Sequence, residues 1–138
     1  MEVQGLWTGT ITYGEKYKEY KNKELYFDLE ILQEKNKITG NAIDIGGIGM
    51  SPDAARIIGT RQGKKIKFVK QYGSLHYYDK GHTKVDKSKS GKEIDYAGEY
   101  NDETQTFYGN WFIRERVYLF GIIPMNYILA GTWTMRRK

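Results

Sequence analysis

Four charged side chains fall where period-two alternation turns a strand toward a core: Asp44, Arg61, Lys70 and Glu115. Tyr13, Tyr72, Tyr96 and Tyr100 share that parity. A charge inside a fold costs several kcal/mol unless it is paired, so two readings stand. In one, these groups lie at wet strand ends or pair internally, Asp44 with Lys70 for instance, and hold strand register. In the other, they line a polar pocket where tyrosine hydroxyls and tryptophan faces meet a small molecule. An interior Lys70 ammonium must find Asp44, Glu115 or a ligand anion to offset its lost hydration.

Much other chemistry is excluded. Cysteine is absent, which removes disulfides, thiolate metal sites and thiol nucleophiles together. No phosphate-binding glycine loop, zinc-ligand spacing or Gly-x-Ser-x-Gly elbow occurs. HYYDKGH, residues 76–82, holds two histidines six apart with Asp79 between them, and loop histidines beside tyrosines read as surface residues rather than metal ligands. An enzyme would need a nucleophile or a base with a second positioned group, and only the Asp, Glu and Lys set could serve. The expectation is a protein that is no enzyme and carries no metal or cofactor.

Lys and Arg number 22 against 17 Asp and Glu, a net charge of +5. The excess gathers in EKYKEYKNK at residues 15–23 and KGHTKVDKSKSGK at residues 80–92. Interspersed acids and turn residues make both solvated loops, so no specific nucleic acid is expected. No apolar run approaches the roughly 18 residues of a membrane span, and MEVQGLW lacks the basic-then-apolar order of a signal peptide. The 138 residues read as one soluble, cytoplasmic domain, 1–138.

The elements that must carry these residues are strands. Alternation recurs at residues 3–13, 24–32, 37–45, 55–61, 64–72, 92–100, 104–115 and 128–137, eight strands joined mostly by short turns. The only helical signal is about a turn at SPDAA, where Ser51 can cap and Pro52 can begin it. An all-β, eight-stranded, up-and-down antiparallel barrel follows, because closure removes exposed edges; a flatter sandwich is the rival. Gly-x-Trp occurs three times, at Gly5–Trp7, Gly109–Trp111 and Gly131–Trp133. An inward glycine beside a bulky filler lets a narrow barrel bend, which makes the tryptophans core residues first and ligand contacts second. Between the last two strands, VYLFGIIPMNYILA at 117–130 is far more apolar than any other connection. Either it lengthens both strands around a turn at 120–126, or it forms a flap over the barrel mouth or a patch for a protein partner.

GLWTG on the first strand, with an arginine after GTWTM on the last, resembles the calycin superfamily of lipocalin-like and avidin-like barrels. The chain is similar to lipocalin-like bacterial domains of unassigned function. The resemblance implies that Trp7 closes one barrel end beneath a C-terminal arginine, and parity with Trp133 and Met135 selects Arg137 over Arg136. Haem-binding nitrobindins begin similarly, but their haem needs a histidine near the barrel end, and here only His76 and His82 occur; no haem is expected. Strands five to eight, neighbours on a meander, bring Phe68, Lys70, Tyr72, Tyr96, Trp111 and Trp133 toward one part of the lumen, and Asp44 is counted with them as a ligand-binding candidate. The expected function is non-catalytic binding of a small hydrophobic or mixed-polarity ligand there, anionic ligands included. The alternative is a filled barrel that docks a protein or polyanion through 117–130 or its basic loops.

Overall fold

A computed structural model of the chain describes residues 2–79, 82–86, 88, 91–119, 121 and 123–138, with the backbone alone at 75–79, 82–85, 114–119 and 123–127. The alternating stretches form β1 (Gly5–Tyr13), β2 (Glu24–Glu34), β3 (Lys37–Gly47), β4 (Ala55–Gln62), β5 (Lys65–Tyr72), β6 (Leu75–Asp79), β7 (His82–Asp86), β8 (Glu93–Asn101), β9 (Thr106–Leu119) and β10 (Ile123–Arg137). Eight of them close into an antiparallel barrel in the order β1-β10-β9-β8-β5-β4-β3-β2. This is an up-and-down meander interrupted once, where β6 and β7 form their own two-stranded sheet between β5 and β8. The barrel is built on the alternation itself: Leu25, Phe27, Leu29 and Ile31 of β2 are buried while Glu24, Tyr26, Glu30 and Leu32 between and beside them are exposed.

One end of the barrel is packed shut. Trp7 is buried and its indole N–H donates to the Val3 carbonyl at 2.7 Å. The Phe107 ring meets it edge-on at 5.4 Å. Arg137, the register partner of Trp7 on β10, lays its guanidinium 4.7 Å over the indole and donates to the Gln4 and Glu2 carbonyls. Gly5 passes directly under this guanidinium at φ +129°, where a Cβ would lie 2.9 Å from it; a side chain there would be strained and crowded at once.

The other two tryptophans each rest on a glycine of another strand, Trp111 on one of the adjacent β10 and Trp133 on one of β8, two strands away. In the β9–β10 register Trp111 faces Gly131 and Trp133 faces Gly109. A Cβ on Gly131 would stand 2.7 Å from the Trp111 ring, and one on Gly98 of β8 would stand 2.7 Å from the Trp133 ring. The indole N–H groups end on backbone carbonyls, Trp111 on Thr132 at 3.1 Å and Trp133 on Asn110 at 3.1 Å. Both large polar-tipped rings are thereby buried without an orphaned donor.

Three local expectations change. SPDAA forms no helical turn: residues 52 and 53 are a bend, because the Ser51 hydroxyl closes a tight side-chain loop by accepting from the Asp53 N–H at 3.1 Å. A 3-10 segment lies instead at Glu15–Tyr20, in the first basic stretch, broken at Lys18. The second basic stretch is no plain loop, since residues 82–86 pair with 75–79 as β6–β7. The turn expected at 120–126 is shorter, because β10 begins at Ile123 and pairs through Pro124. β8 leaves β9 after Phe112, and β1 leaves β10 after Gly131. From there to the Leu119–Ile123 pair the two strands pair with each other and with no further strand among the described residues, an arm of roughly 20 Å. Proline is tolerated because each strand of such an arm is an edge. Among the described residues no helix is long and apolar enough to cross a membrane.

Candidate functional site

The end of the barrel away from Trp7 holds a cup of about 470 Å³. Its walls are Ile11 of β1, Leu25 of β2, Ile94 of β8 and Trp111 of β9, with Lys70 and Tyr72 of β5 and Tyr96 of β8 reaching into it. Strand ends make the wall, so the meander brings residues far apart in sequence to one rim. The 3-10 segment supplies Tyr17 and Tyr20. Tyr17 packs edge-on against Tyr13 at 4.8 Å and lies tilted against Trp111 at 5.9 Å, and the Tyr13 hydroxyl donates to the Ile48 carbonyl at 2.8 Å, tying the β3–β4 connection to the rim.

Lys70 and Tyr96 form the floor. They border both the cup and a void of about 10 Å³ below it, at the lower limit for one water molecule. Beneath them the lumen is filled: Phe68 stacks on Tyr96 at 4.7 Å, and Trp133 meets both edge-on at 5.6 and 5.7 Å. The barrel is therefore packed in one half and hollow in the other.

Asp44 stands behind the floor. A register shift between Tyr26 and Phe27 of β2 sets Asp44 opposite Phe27. Its carboxylate accepts the Tyr72 hydroxyl across both oxygens, at 2.9 and 3.0 Å, and the Ser51 N–H at 2.8 Å. The Lys70 ammonium lies 3.9 Å from Asp44 Oδ1. That distance is too long for a hydrogen bond, so Asp44 balances the charge of Lys70 without accepting from it. The ammonium otherwise faces the rings of Tyr72, Phe27 and Tyr96, whose centroids are 4.9, 5.4 and 5.7 Å away.

Electrostatics follow from this enclosure. Burial pulls the Lys70 ammonium down to about 8, against the opposing pull of Asp44. Burial, reinforced by Asp44, raises Tyr13 to about 12 and raises Tyr72 and Tyr96 well above the ordinary phenol value. All three phenols stay protonated donors at neutral pH. Tyr13 and Tyr72 have their hydroxyls engaged, whereas the buried Tyr96 hydroxyl has no hydrogen-bond partner among the described residues.

The residues singled out in the sequence thus divide. The cup brings together Lys70, Tyr72, Tyr96 and Trp111; Phe68 and Trp133 lie under its floor and Asp44 behind it. Arg61 and Tyr100 are half-buried outside the cup lining. The side chains of Glu115, His76, His82 and the apolar 117–127 stretch, and Lys80, Lys84, Lys87 and Lys89 of the basic stretch, lie outside the described residues. The sequence reading passed over Ile11, Leu25 and Ile94, whose apolar side chains look like any core position, and Tyr17 and Tyr20, which sat inside a charged run. Compared with known proteins, the chain matches no protein-family model, no curated protein and no solved structure.

Proposed function

We propose that this barrel binds a small, largely apolar molecule of mixed polarity in the cup and does not transform it. The observation that carries this reading is the half-hollow lumen: about 470 Å³, walled by aliphatic and aromatic side chains, with a few polar groups gathered at the floor. That volume lies within the ~300–1,000 Å³ of ordinary small-molecule sites, and such sites combine an apolar wall with sparse, placed polar groups. The calycin likeness belongs to this proposal. It is supported by the closed barrel and by Trp7 under Arg137 at its sealed end.

The test is a titration with N-phenyl-1-naphthylamine, a neutral apolar dye that brightens out of water. Saturable enhancement at micromolar dye is expected, together with loss of the effect in Ile94→Trp, which fills the wall of the cup. No saturation, or saturation indifferent to Ile94→Trp, would place the dye elsewhere and end the proposal.

A further inference from the structure

Two hydrogen-bond donors belong to residues at the bottom of the cup, and neither has an acceptor among the described residues. Lys70 has a carboxylate beside it that balances its charge from 3.9 Å, beyond hydrogen-bonding distance. Tyr96 is buried, and its hydroxyl is unpartnered among the described residues. The neighbouring polar groups offer no relief. Asp44 is already held by Tyr72 and Ser51, and Tyr13 is committed to the Ile48 carbonyl. A buried donor left unmade is costly, and both of these border the cup. The floor therefore asks for an acceptor.

The charge balance decides which kind. Asp44 and Lys70 together are neutral, and both are buried. A carboxylate arriving at Lys70 would put a second anion beside Asp44 and leave a net negative charge in an aromatic enclosure, which is expensive. Lys92 at the exposed rim could serve an anionic group only in solvent, and the tail of that ligand would then press hydrocarbon on the two floor donors. A neutral acceptor adds no charge and takes up both donors. A carbonyl oxygen has two lone pairs and no proton, and so accepts from an ammonium and a phenol together.

Resting on the small-molecule reading above, we propose that the cup selects neutral apolar carbonyl compounds, ketones above all. The carbonyl oxygen sits at the floor and accepts from Lys70 Nζ and the Tyr96 hydroxyl, and the hydrocarbon part lies against Ile11, Leu25, Ile94 and Trp111.

Three probes of nearly one shape separate the cases: 2-acetylnaphthalene, a ketone; 2-isopropylnaphthalene, its hydrocarbon counterpart; and 2-naphthoate, its anion. Each is measured on the full chain by equilibrium dialysis near neutral pH. The ketone is expected to bind at least about tenfold tighter than either of the others, the least that a hydrogen bond from a charged donor supplies. Lys70→Met should bring ketone and hydrocarbon to within about threefold of each other. Tyr96→Phe should cut the ketone preference by at least about threefold, as for a lost neutral hydrogen bond, and leave the hydrocarbon unchanged. Should Lys70→Met fail to fold, the wild-type series and Tyr96→Phe decide the matter. Naphthoate binding tightest would make the floor an anion site, and equal binding of all three would make the cup a purely apolar one; either result overturns the carbonyl assignment while leaving the binding function standing. Failure of all three to bind, with the dye also silent, would overturn both.

Discussion

Asp44 and Lys70 are a buried pair with unequal support, and the inequality has measurable consequences. Asp44 keeps its two donors whether or not Lys70 is present, while Lys70 has only the charge of Asp44 and three aromatic rings. Asp44→Asn should therefore be the worse single change, destabilising by about 3–5 kcal/mol in urea unfolding, as when one member of a buried pair is removed. Lys70→Met should cost less, and Asp44→Asn/Lys70→Met together should come within about 1.5 kcal/mol of the wild type. If Lys70→Met proves the costlier single, the ammonium has an acceptor that this geometry does not provide. The pair also imposes a pH dependence. Lys70 loses its proton near 8 in the fold and near its ordinary 10.5 when unfolded, so between these values the unfolded chain holds the extra proton and raising the pH stabilises the fold. Tyr13, Tyr72 and Tyr96 face the same enclosure and are all raised, so they stay protonated across this window. Relative to Lys70→Met, wild-type stability should be flat below pH 8 and climb by about 3 kcal/mol toward pH 10.5; a flat difference throughout would mean that Lys70 is solvated. Strand parity alone brought Asp44 and Lys70 to notice. It could not show that Tyr96 lacks a partner among the described residues, which depends on which hydroxyl reaches which acceptor across three strands.

At the scale of elements, the glycines are read better as seats than as bends. From the sequence, Gly-x-Trp marked glycine and tryptophan on one strand; the contact that matters runs between strands, Trp111 over Gly131 and Trp133 over Gly98. Only register reveals it, and no spacing along a single strand encodes register. Gly131→Ala places a methyl against Trp111, a wall of the cup, and against the Thr12 carbonyl 2.1 Å away. A loss of about 1–3 kcal/mol is expected, as for overpacking, with weakened dye binding because Trp111 must tilt. Gly73, with nothing near its Cβ position, is the control, and Gly73→Ala should fall within ~0.5 kcal/mol of the wild type. Equal effects at the two positions would mean that the Trp111–Gly131 contact is not tight. The strands whose alternation ran longest were legible, β6–β7 was not, and the β9–β10 arm was legible only as one of two alternatives, the one that lengthens both strands. A charged run hid the hairpin, and Pro124 falls in an arm whose two strands are both edges, where no N–H is needed from it.

The whole molecule is polarised, and that polarity was the least legible property of all. Eight alternating strands require a closed barrel and an inside, but whether the inside is full depends on side-chain volumes summed over opposite walls. Here the sum fills the half around Trp7, Phe107 and Trp133 and leaves the half around Ile11, Leu25 and Ile94 hollow. Stability and binding should accordingly separate along the barrel axis. Trp7→Ala, at the sealed end, is expected to cost about 3–5 kcal/mol, the range for a fully buried large aromatic. The milder Trp7→Phe should lower the urea midpoint while leaving the dye dissociation constant within about twofold, because no atom of Trp7 borders the cup. Ile94→Trp should do the reverse, removing dye binding while adding apolar contact to a half-buried position and so leaving the midpoint nearly unchanged. The decisive result is the crossed pair measured on both properties. If Trp7→Phe abolishes dye binding at a temperature where the chain is still folded, the two halves are one cooperative cavity. A Trp7→Ala loss under about 1 kcal/mol would instead mean that this end is not sealed, and with it would fall the closure that supports the calycin likeness.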